Sequence, residues 1–221
     1  MNKDDTASAQ QALKPIGLPR PQCDGVKSLW ASLWERKTTR DMREDRLPPQ
    51  VLSNVLWAAF GVTREEGPMG RAGRTAPSGL NLQGIDIYVA LPAGVYLYET
   101  VPNRLGPVIG EDIRAMTNRR PQAGAAPAVL IYVANTNIEL PLPPGVQPPG
   151  GHPPGKPVTV AINPCYGEVE AGFIGQNVYL FCASEGLAAW FFATDREGLA
   201  KAMNLRPTQK VLYCQAVGYP R

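Results

Sequence analysis

The sequence has very little histidine and no closely paired cysteines, and each shortage excludes a class of chemistry. The single histidine of the 221 residues, His152, lies in a segment rich in proline and glycine. One histidine placed there cannot serve a catalytic triad or a multi-histidine metal site, so no metal is predicted. The four cysteines form no CxxC pair and are predicted to be reduced thiols rather than disulfides.

Charge runs and long apolar runs are also missing. The formal net charge is +3, and no five like charges follow one another, which argues against a nucleic-acid or membrane-surface partner. No apolar stretch approaches the roughly 18 to 20 residues of a membrane span, and no export signal is visible. We therefore expect a cytoplasmic protein; a periplasmic one is the alternative, because a polar, proline-rich N-terminal arm is typical of exported chains after signal removal.

Nucleotide-binding loops are absent as well. The string GGHPPGKP at residues 150–157 matches a phosphate-binding loop up to its lysine, but Pro157 stands where the magnesium-binding hydroxyl belongs. Its prolines also remove backbone donors that such a loop uses. No GxGxxG follows a predicted strand, so a Rossmann fold has no support.

Helical and strand periodicities predict an α+β fold, because helices and strands do not alternate strictly. We expect an extended N-terminal arm at residues 1–24 and a single domain at 25–221, with a Pro/Gly-rich surface excursion at 137–158 and a mobile loop at 64–74. Predicted helices cover residues 26–34, 49–60, 172–186 and 197–203, with weak helical character at 110–118. Predicted strands cover residues 85–91, 95–99, 128–134 and 211–217.

A basic cluster at Arg36, Lys37 and Arg40 includes the hydroxyls of Thr38 and Thr39. Two guanidinium groups, an ammonium group and two hydroxyls can neutralise and hydrogen-bond a dianionic phosphate. The alternative is a solvated helix end.

Four blocks of the sequence, in this order, resemble the FMN-dependent nitroreductase family. They are ERKTTRDMREDRLPPQVLSNVLWAAFGVTR, RTAPSGLNLQGIDIYVAL, GFIGQNVYLFCASEGLAAWF and VLYCQAVGYPR. The resemblance covers residues 26–136 and 169–221, and it is strongest to the branch related to dehydrogenases that oxidise thiazoline and oxazoline rings. It implies a mainly antiparallel sheet flanked by helices, a long central helix, and a homodimer with FMN at its interface.

The resemblance also implies which residues bind the cofactor. The first block is expected to hold the flavin phosphate and ribityl chain, the proline-serine turn to reach the flavin from the second subunit, and the loop after the central helix to present backbone N–H groups to the ring. The implied cofactor-binding residues are Arg36, Lys37, Thr38, Arg40, Pro77, Ser78, Gly79, Asn81, Gln83, Asn118, Phe192, Ala193 and Arg221. Trp190 and Phe191 either line a substrate pocket or fill its space, and core packing is the plain alternative.

The implied activity is hydride transfer from NADH or NADPH through flavin N5 to a small-molecule acceptor such as a nitroaromatic or a quinone. Such chemistry needs no catalytic side chain, because the cofactor carries it. Two alternatives remain open, an azoline-type dehydrogenase that oxidises its substrate and a non-catalytic FMN-binding protein. A peptide-binding module that uses the proline-rich segment would instead be colourless.

Overall fold

The computed structural model describes residues 12–22, 27–67, 70–140, 158–161 and 164–221. Its helices are α1 (Leu29–Glu35), α2 (Pro49–Phe60), α3 (Pro121–Ala125), α4 (Pro164–Glu185) and α5 (Arg196–Ala202). Its strands are β1 (Ile16–Gly17), β2 (Val62–Arg64), β3 (Gly73–Arg74), β4 (Ile85–Leu91), β5 (Gly94–Glu99), β6 (Arg104–Ile109), β7 (Ala128–Asn135), β8 (Asn137–Leu140), β9 (Val158–Ala161), β10 (Ala188–Ala193) and β11 (Gln209–Gly218).

Seven strands form one antiparallel sheet in the order β1-β6-β5-β4-β7-β11-β10. The predicted hairpin of β4 and β5 pairs Leu91 with Gly94. Helices lie on both faces of the sheet, so the predicted α+β architecture is confirmed.

Strand β7 explains why residues 128–134 are apolar without interruption. Its alternate residues enter two different cores: Leu130 and Tyr132 pack on one face of the sheet, and Val129 and Ile131 pack on the other. A strand buried on both faces needs apolar residues at every position. Helices α2 and α4 cover the first face, and α5 covers the second.

Helix α4 is longer than predicted, because Gly172 lies inside the helix rather than at its start. It begins at Pro164, eight residues before the predicted start at Gly172. A Cβ atom at Gly175 would lie 2.7 Å from the Phe191 ring, so glycine lets the sheet approach the helix there. The helix ends before Gly186, which has a left-handed φ of 69°, as is typical of helix C-termini.

Several predicted loops contain short strands. In the N-terminal arm, β1 pairs with β6 through Ile16 and Leu105, because apolar side chains of the arm pack on the core. The ends of the predicted 137–158 excursion pair as β8 and β9, whereas residues 141–157 lie outside the described residues. The predicted loop at 64–74 is bounded by the paired strands β2 and β3.

Cys182 and Cys214 are free thiols, as predicted. Cys165 is exposed, and Cys182 and Cys214 are buried. Burial raises the pKa of the Cys214 thiol to about 12, which keeps it protonated at neutral pH. Cys23 and His152 lie outside the described residues.

The contact between Gly175 and Phe191 generates a prediction. Gly175→Ala should lower the free energy of unfolding by about 1 to 2 kcal/mol, because overpacking costs roughly 1 to 3 kcal/mol and the gain in helix propensity returns at most about 1. In a Phe191→Val background the colliding ring atoms are gone, and the same substitution should be neutral or stabilising. Urea unfolding of the wild type, the two single variants and the double variant measures the coupling energy between positions 175 and 191. An equal effect of Gly175→Ala in both backgrounds would contradict the proposed contact.

Candidate functional site

Strand β10 forms one edge of the sheet, and its outward backbone groups have partners outside the sheet. The carbonyl oxygen of Ala189 accepts a hydrogen bond of 2.9 Å from the backbone N–H of Thr39. Two residues further, the backbone N–H of Phe191 donates to the Tyr179 hydroxyl at 2.9 Å. Since backbone groups of an antiparallel strand point alternately to either side, the N–H of Ala193 is also directed outward.

These observations correct the predicted loop after the central helix, because residues 188–193 form a strand. The backbone N–H of Phe192 is directed towards β11, and the Phe192 side chain lies in the core. Trp190 is only 4% exposed and is also a core residue rather than the wall of an open pocket. Phe191 is half-buried on the opposite face, where its ring lies 5.7 Å from that of Tyr132.

The basic segment, residues 36–40, runs beside this edge and is fastened by Tyr179 of α4. The Thr38 hydroxyl lies 2.9 Å from the Tyr179 hydroxyl, and the Arg36 guanidinium lies 5.4 Å from the centre of the Tyr179 ring. Arg40 lies 5.7 Å from the centre of the Trp190 ring. Tyr179 therefore connects the helix, the basic segment and β10, a role for which the sequence gives no signal.

Arg221 is held beside the basic segment rather than frayed. Its Nε donates to the carbonyl oxygen of Met42 at 3.0 Å. Its backbone N–H donates to the carbonyl oxygen of Asp41 at 3.3 Å. Arg221 and Lys37 line the same cleft of about 320 Å³, together with Tyr179.

The cations of this region are not neutralised by the described part of the chain. Within it, no carboxylate lies within 4.0 Å of Arg36, Lys37, Arg40 or Arg221. The neighbouring Glu35 instead pairs with Lys27 at 2.6 Å. Lys37 and Arg221 line one cleft, which Glu35 also lines, and cations without an ion-pair partner suit a phosphate group.

At the other end of β10, the structure brings Asn118 and Ala193 together. The Asn118 side-chain amide donates to the carbonyl oxygen of Ala193 at 3.3 Å. Both residues line a cleft of about 440 Å³ with Met116 and Thr194. A hydrogen bond from the Thr194 hydroxyl to the carbonyl oxygen of Thr117, 2.6 Å long, fastens the two walls to each other.

The proline-serine turn, residues 77–83, has an unusual backbone. Leu80, Asn81 and Gln83 all have left-handed φ angles, between 51° and 54°, which are uncommon outside glycine. The Ser78 hydroxyl accepts a hydrogen bond of 2.7 Å from the backbone N–H of Gln83. Such a conformation persists only where its surroundings enforce it.

Two arginines and one glutamine hold the turn in this conformation through hydrogen bonds. Arg71 donates to the carbonyl oxygen of Leu82 at 2.5 Å, and Nε of Arg74 donates to the side chain of Gln83 at 2.8 Å. Gln83 in turn donates to the carbonyl oxygen of Ala72 at 2.6 Å. Gln83 was predicted to contact the cofactor, and the described chain shows it as a support of the turn.

A buried carboxyl lies beneath the turn. Glu170 of α4 is 5% exposed, and burial raises its pKa to about 7, against the opposing effects of the Ser78 hydroxyl, the Gly84 backbone and the charge of Arg71. In the sequence alone Glu170 has no identifiable partner, because its neighbours come from a segment more than eighty residues away.

Comparison with known proteins assigns the family. The model of the nitroreductase family matches residues 33–219. A solved structure from Ralstonia eutropha JMP134, provisionally named a nitroreductase, is 35% identical, with a TM-score of 0.77 over 96% of this chain and 91% of that one. A Methanocaldococcus jannaschii protein, also provisionally named a nitroreductase, is 29% identical over 70% of this chain and 73% of its own length.

A more distant likeness extends to a biosynthetic complex. A chain of the E. coli microcin synthetase McbBCD complex with truncated pro-MccB17 matches with a TM-score of 0.63 at 19% identity, over 85% of this chain and 70% of that one. This likeness shows the shared fold.

The fold and these matches define an oxidoreductase of the flavin type. The chain belongs to the nitroreductase family. Among the described residues, no helix is both long and apolar enough to cross a membrane.

The raised pKa of Glu170 predicts a pH-dependent stability. Between the ordinary value of 4.5 and about 7, the folded chain keeps a proton that the unfolded chain loses, so stability falls as pH rises through this window. Glu170→Gln carries no such charge, and its unfolding free energy relative to wild type should rise by roughly 3 kcal/mol at most from pH 4.5 to 7.5.

Chemical denaturation at both pH values measures this difference. Glu185→Gln, an exposed glutamate on the same helix, is the control from which general effects of pH are subtracted. A constant difference between Glu170→Gln and wild type would refute the assignment.

Proposed function

We propose that the chain binds FMN along the outer edge of β10 and works as an NAD(P)H-dependent oxidoreductase. The observation that carries the proposal is the arrangement along this edge, with a basic segment at one end and the outward N–H of Ala193 at the other. The five residues from Ala189 to Ala193 span about 13 Å, four steps of about 3.3 Å. An extended ligand with a phosphate at one end and a planar ring at the other suits this edge.

In this proposal, the phosphate is bound by Arg36, Lys37, Arg40, the Thr38 hydroxyl and Arg221. Tyr179 orients Arg36 and Thr38 before the ligand arrives, which reduces the entropy lost on binding.

The ring end of the site is formed by the backbone N–H of Ala193 and by the Asn118 side chain. Ala193 is preferred over Phe192 as the backbone donor, because only its N–H is directed away from the sheet.

The second half of the site comes from another subunit in this proposal. The proline-serine turn, with Pro77, Ser78, Gly79 and Asn81, lines a different cleft from the basic segment. A homodimer would bring the turn of one subunit to the β10 edge of its partner.

Exposed apolar side chains support such a dimer. In α1, Trp30 is 82% and Trp34 is 93% exposed. In α4, Tyr166, Val169 and Phe173 are also exposed, and their spacing places them on one side of the helix. Apolar surface of this extent is typical of an interface.

Bound FMN would supply the chemistry, storing the two electrons that arrive as hydride from NADH or NADPH and leave to an acceptor such as a nitroaromatic or a quinone. The residues of the chain bind the cofactor and orient it. The enforced conformation of the turn keeps Ser78 and Asn81 in fixed positions for contact with the ring, and the buried face of β10 keeps water away from the sheet side.

The absorption spectrum of the purified protein tests this proposal. Flavin bands near 370 and 450 nm, roughly where oxidised flavin absorbs, should be present and should bleach on anaerobic addition of NADH or NADPH. Bands that persist would favour the azoline-type dehydrogenase or a flavin-holding protein. Absence of bands after reconstitution with FMN would overturn the proposal.

A pair of variants connects the spectrum to the basic segment. Arg36→Gln with Arg40→Gln should weaken FMN binding by one or more powers of ten, since a charge-assisted hydrogen bond contributes roughly 1.5 to 3 kcal/mol. Arg46→Gln, on the exposed loop before α2, should retain the flavin. Full occupancy in the double variant would refute this phosphate site.

The dimer makes a separate prediction. Val169→Glu with Phe173→Glu should turn a dimer of twice 23.9 kDa into a monomer and release FMN, because buried charges without partners destabilise an interface. Light scattering and the flavin spectrum measure both effects. Val101→Glu, at an apolar residue on the β5–β6 turn that is also exposed, is the matched control. A monomer that retains FMN would contradict the shared site.

A further inference from the structure

Two arginines line the same cleft as the proline-serine turn. This cleft of about 420 Å³ is lined by Arg64 and Arg74 and by Pro77, Ser78 and Leu80 of the turn. The turn was predicted from the sequence to contact the cofactor, whereas neither arginine was assigned a role.

Arg74 is held in place with one nitrogen left unused. Its guanidinium lies 5.5 Å from the centre of the Phe60 ring, and its Nε donates to Gln83. Its Nη1 is buried and has no hydrogen-bond partner. A buried donor without a partner is costly, and an acceptor supplied by a ligand would satisfy it.

Arg64 is placed by a glycine. Strand β2 pairs Arg64 with Gly73 of β3, and a Cβ atom at position 73 would lie 2.6 Å from Nη2 and 2.8 Å from Cζ of Arg64. Glycine at position 73 leaves room for the guanidinium to lie across β3, and Arg64 lines the same cleft as Arg74.

Neither arginine forms an ion pair within the described part of the chain, although Asp86 and Arg74 line a second cleft together. Among the residues that the structure describes, no carboxylate lies within 4.0 Å of Arg64 or Arg74, and the adjacent Glu65 and Glu66 are exposed. Leu80, which is 76% exposed with a left-handed backbone, adds an apolar surface to the cleft. An organic anion with a flat apolar part matches both properties.

We propose that Arg64 and Arg74 form an anion-recognition site for the substrates of this enzyme, which carry a carboxylate or phosphate group beside an apolar moiety. The inference rests on the proposed function, because it takes the turn to face the flavin. The anion could belong to the electron acceptor, as a carboxylate, or to the electron donor, as the additional phosphate of NADPH.

Isothermal titration calorimetry of the flavin-loaded protein tests this inference without turnover. Benzoate should bind at least about tenfold more tightly than benzamide if the acceptor carries the anion, and NADP⁺ more tightly than NAD⁺ by a similar factor if the donor does, since one charge-assisted hydrogen bond is worth a factor of ten or more. Arg64→Gln should remove the preference, and Arg46→Gln should retain it.

Arg74→Lys is the second variant. It keeps the charge and loses the forked geometry, so it should reduce the preference while circular dichroism stays unchanged. Equal affinities within each ligand pair in the wild type, or a preference that survives Arg64→Gln, would overturn the inference. The absorption spectrum tests the proposed function separately. The anion preference is measured by calorimetry and does not depend on bleaching of the flavin bands.

Discussion

The exposed edge of β10 imposes the constraint on which the candidate site depends. Every second residue of an edge strand directs its backbone groups away from the sheet, and those groups need partners. Here they are supplied by three distant parts of the chain: Thr39 beside Ala189, Tyr179 beside Phe191 and Asn118 beside Ala193. Satisfying the backbone of one strand therefore gathers a basic segment, a helix and a polar side chain along one line.

The proline-serine turn is organised by a different kind of interaction. Its left-handed residues are stabilised by side chains that hydrogen-bond to its backbone and to Gln83, and by a buried carboxyl on α4. The two parts are thus held by different kinds of contact, one at a sheet edge and one through buried polar groups. Helix α4 supports both, through Tyr179 beside the basic segment and through Glu170 beneath the turn.

Sequence patterns predicted the elements whose apolar residues follow a simple rule. These are α2 with one apolar face, the β4–β5 hairpin with its turn, and β7, which is buried on both faces. Periodicity failed where a glycine lies inside a helix, since Gly172 was predicted to start α4 although the helix begins at Pro164. It also missed β10, because three adjacent aromatic residues carry no alternating pattern although they face alternate sides. The roles of Tyr179, Arg71 and Glu170 depend on contacts across the fold, which no local pattern encodes.

The pairing of β1 with β6 has a consequence for the behaviour of the protein in concentrated solution. An uncovered edge strand is a template on which another molecule can add its own strand, and growth from such edges leads to aggregates. The arm residues Ile16 and Gly17 cap the sheet at the end remote from β10. The arm thereby hinders strand addition at one end of the sheet, and at the other end Thr39, Tyr179 and Asn118 already bond to outward backbone groups of β10.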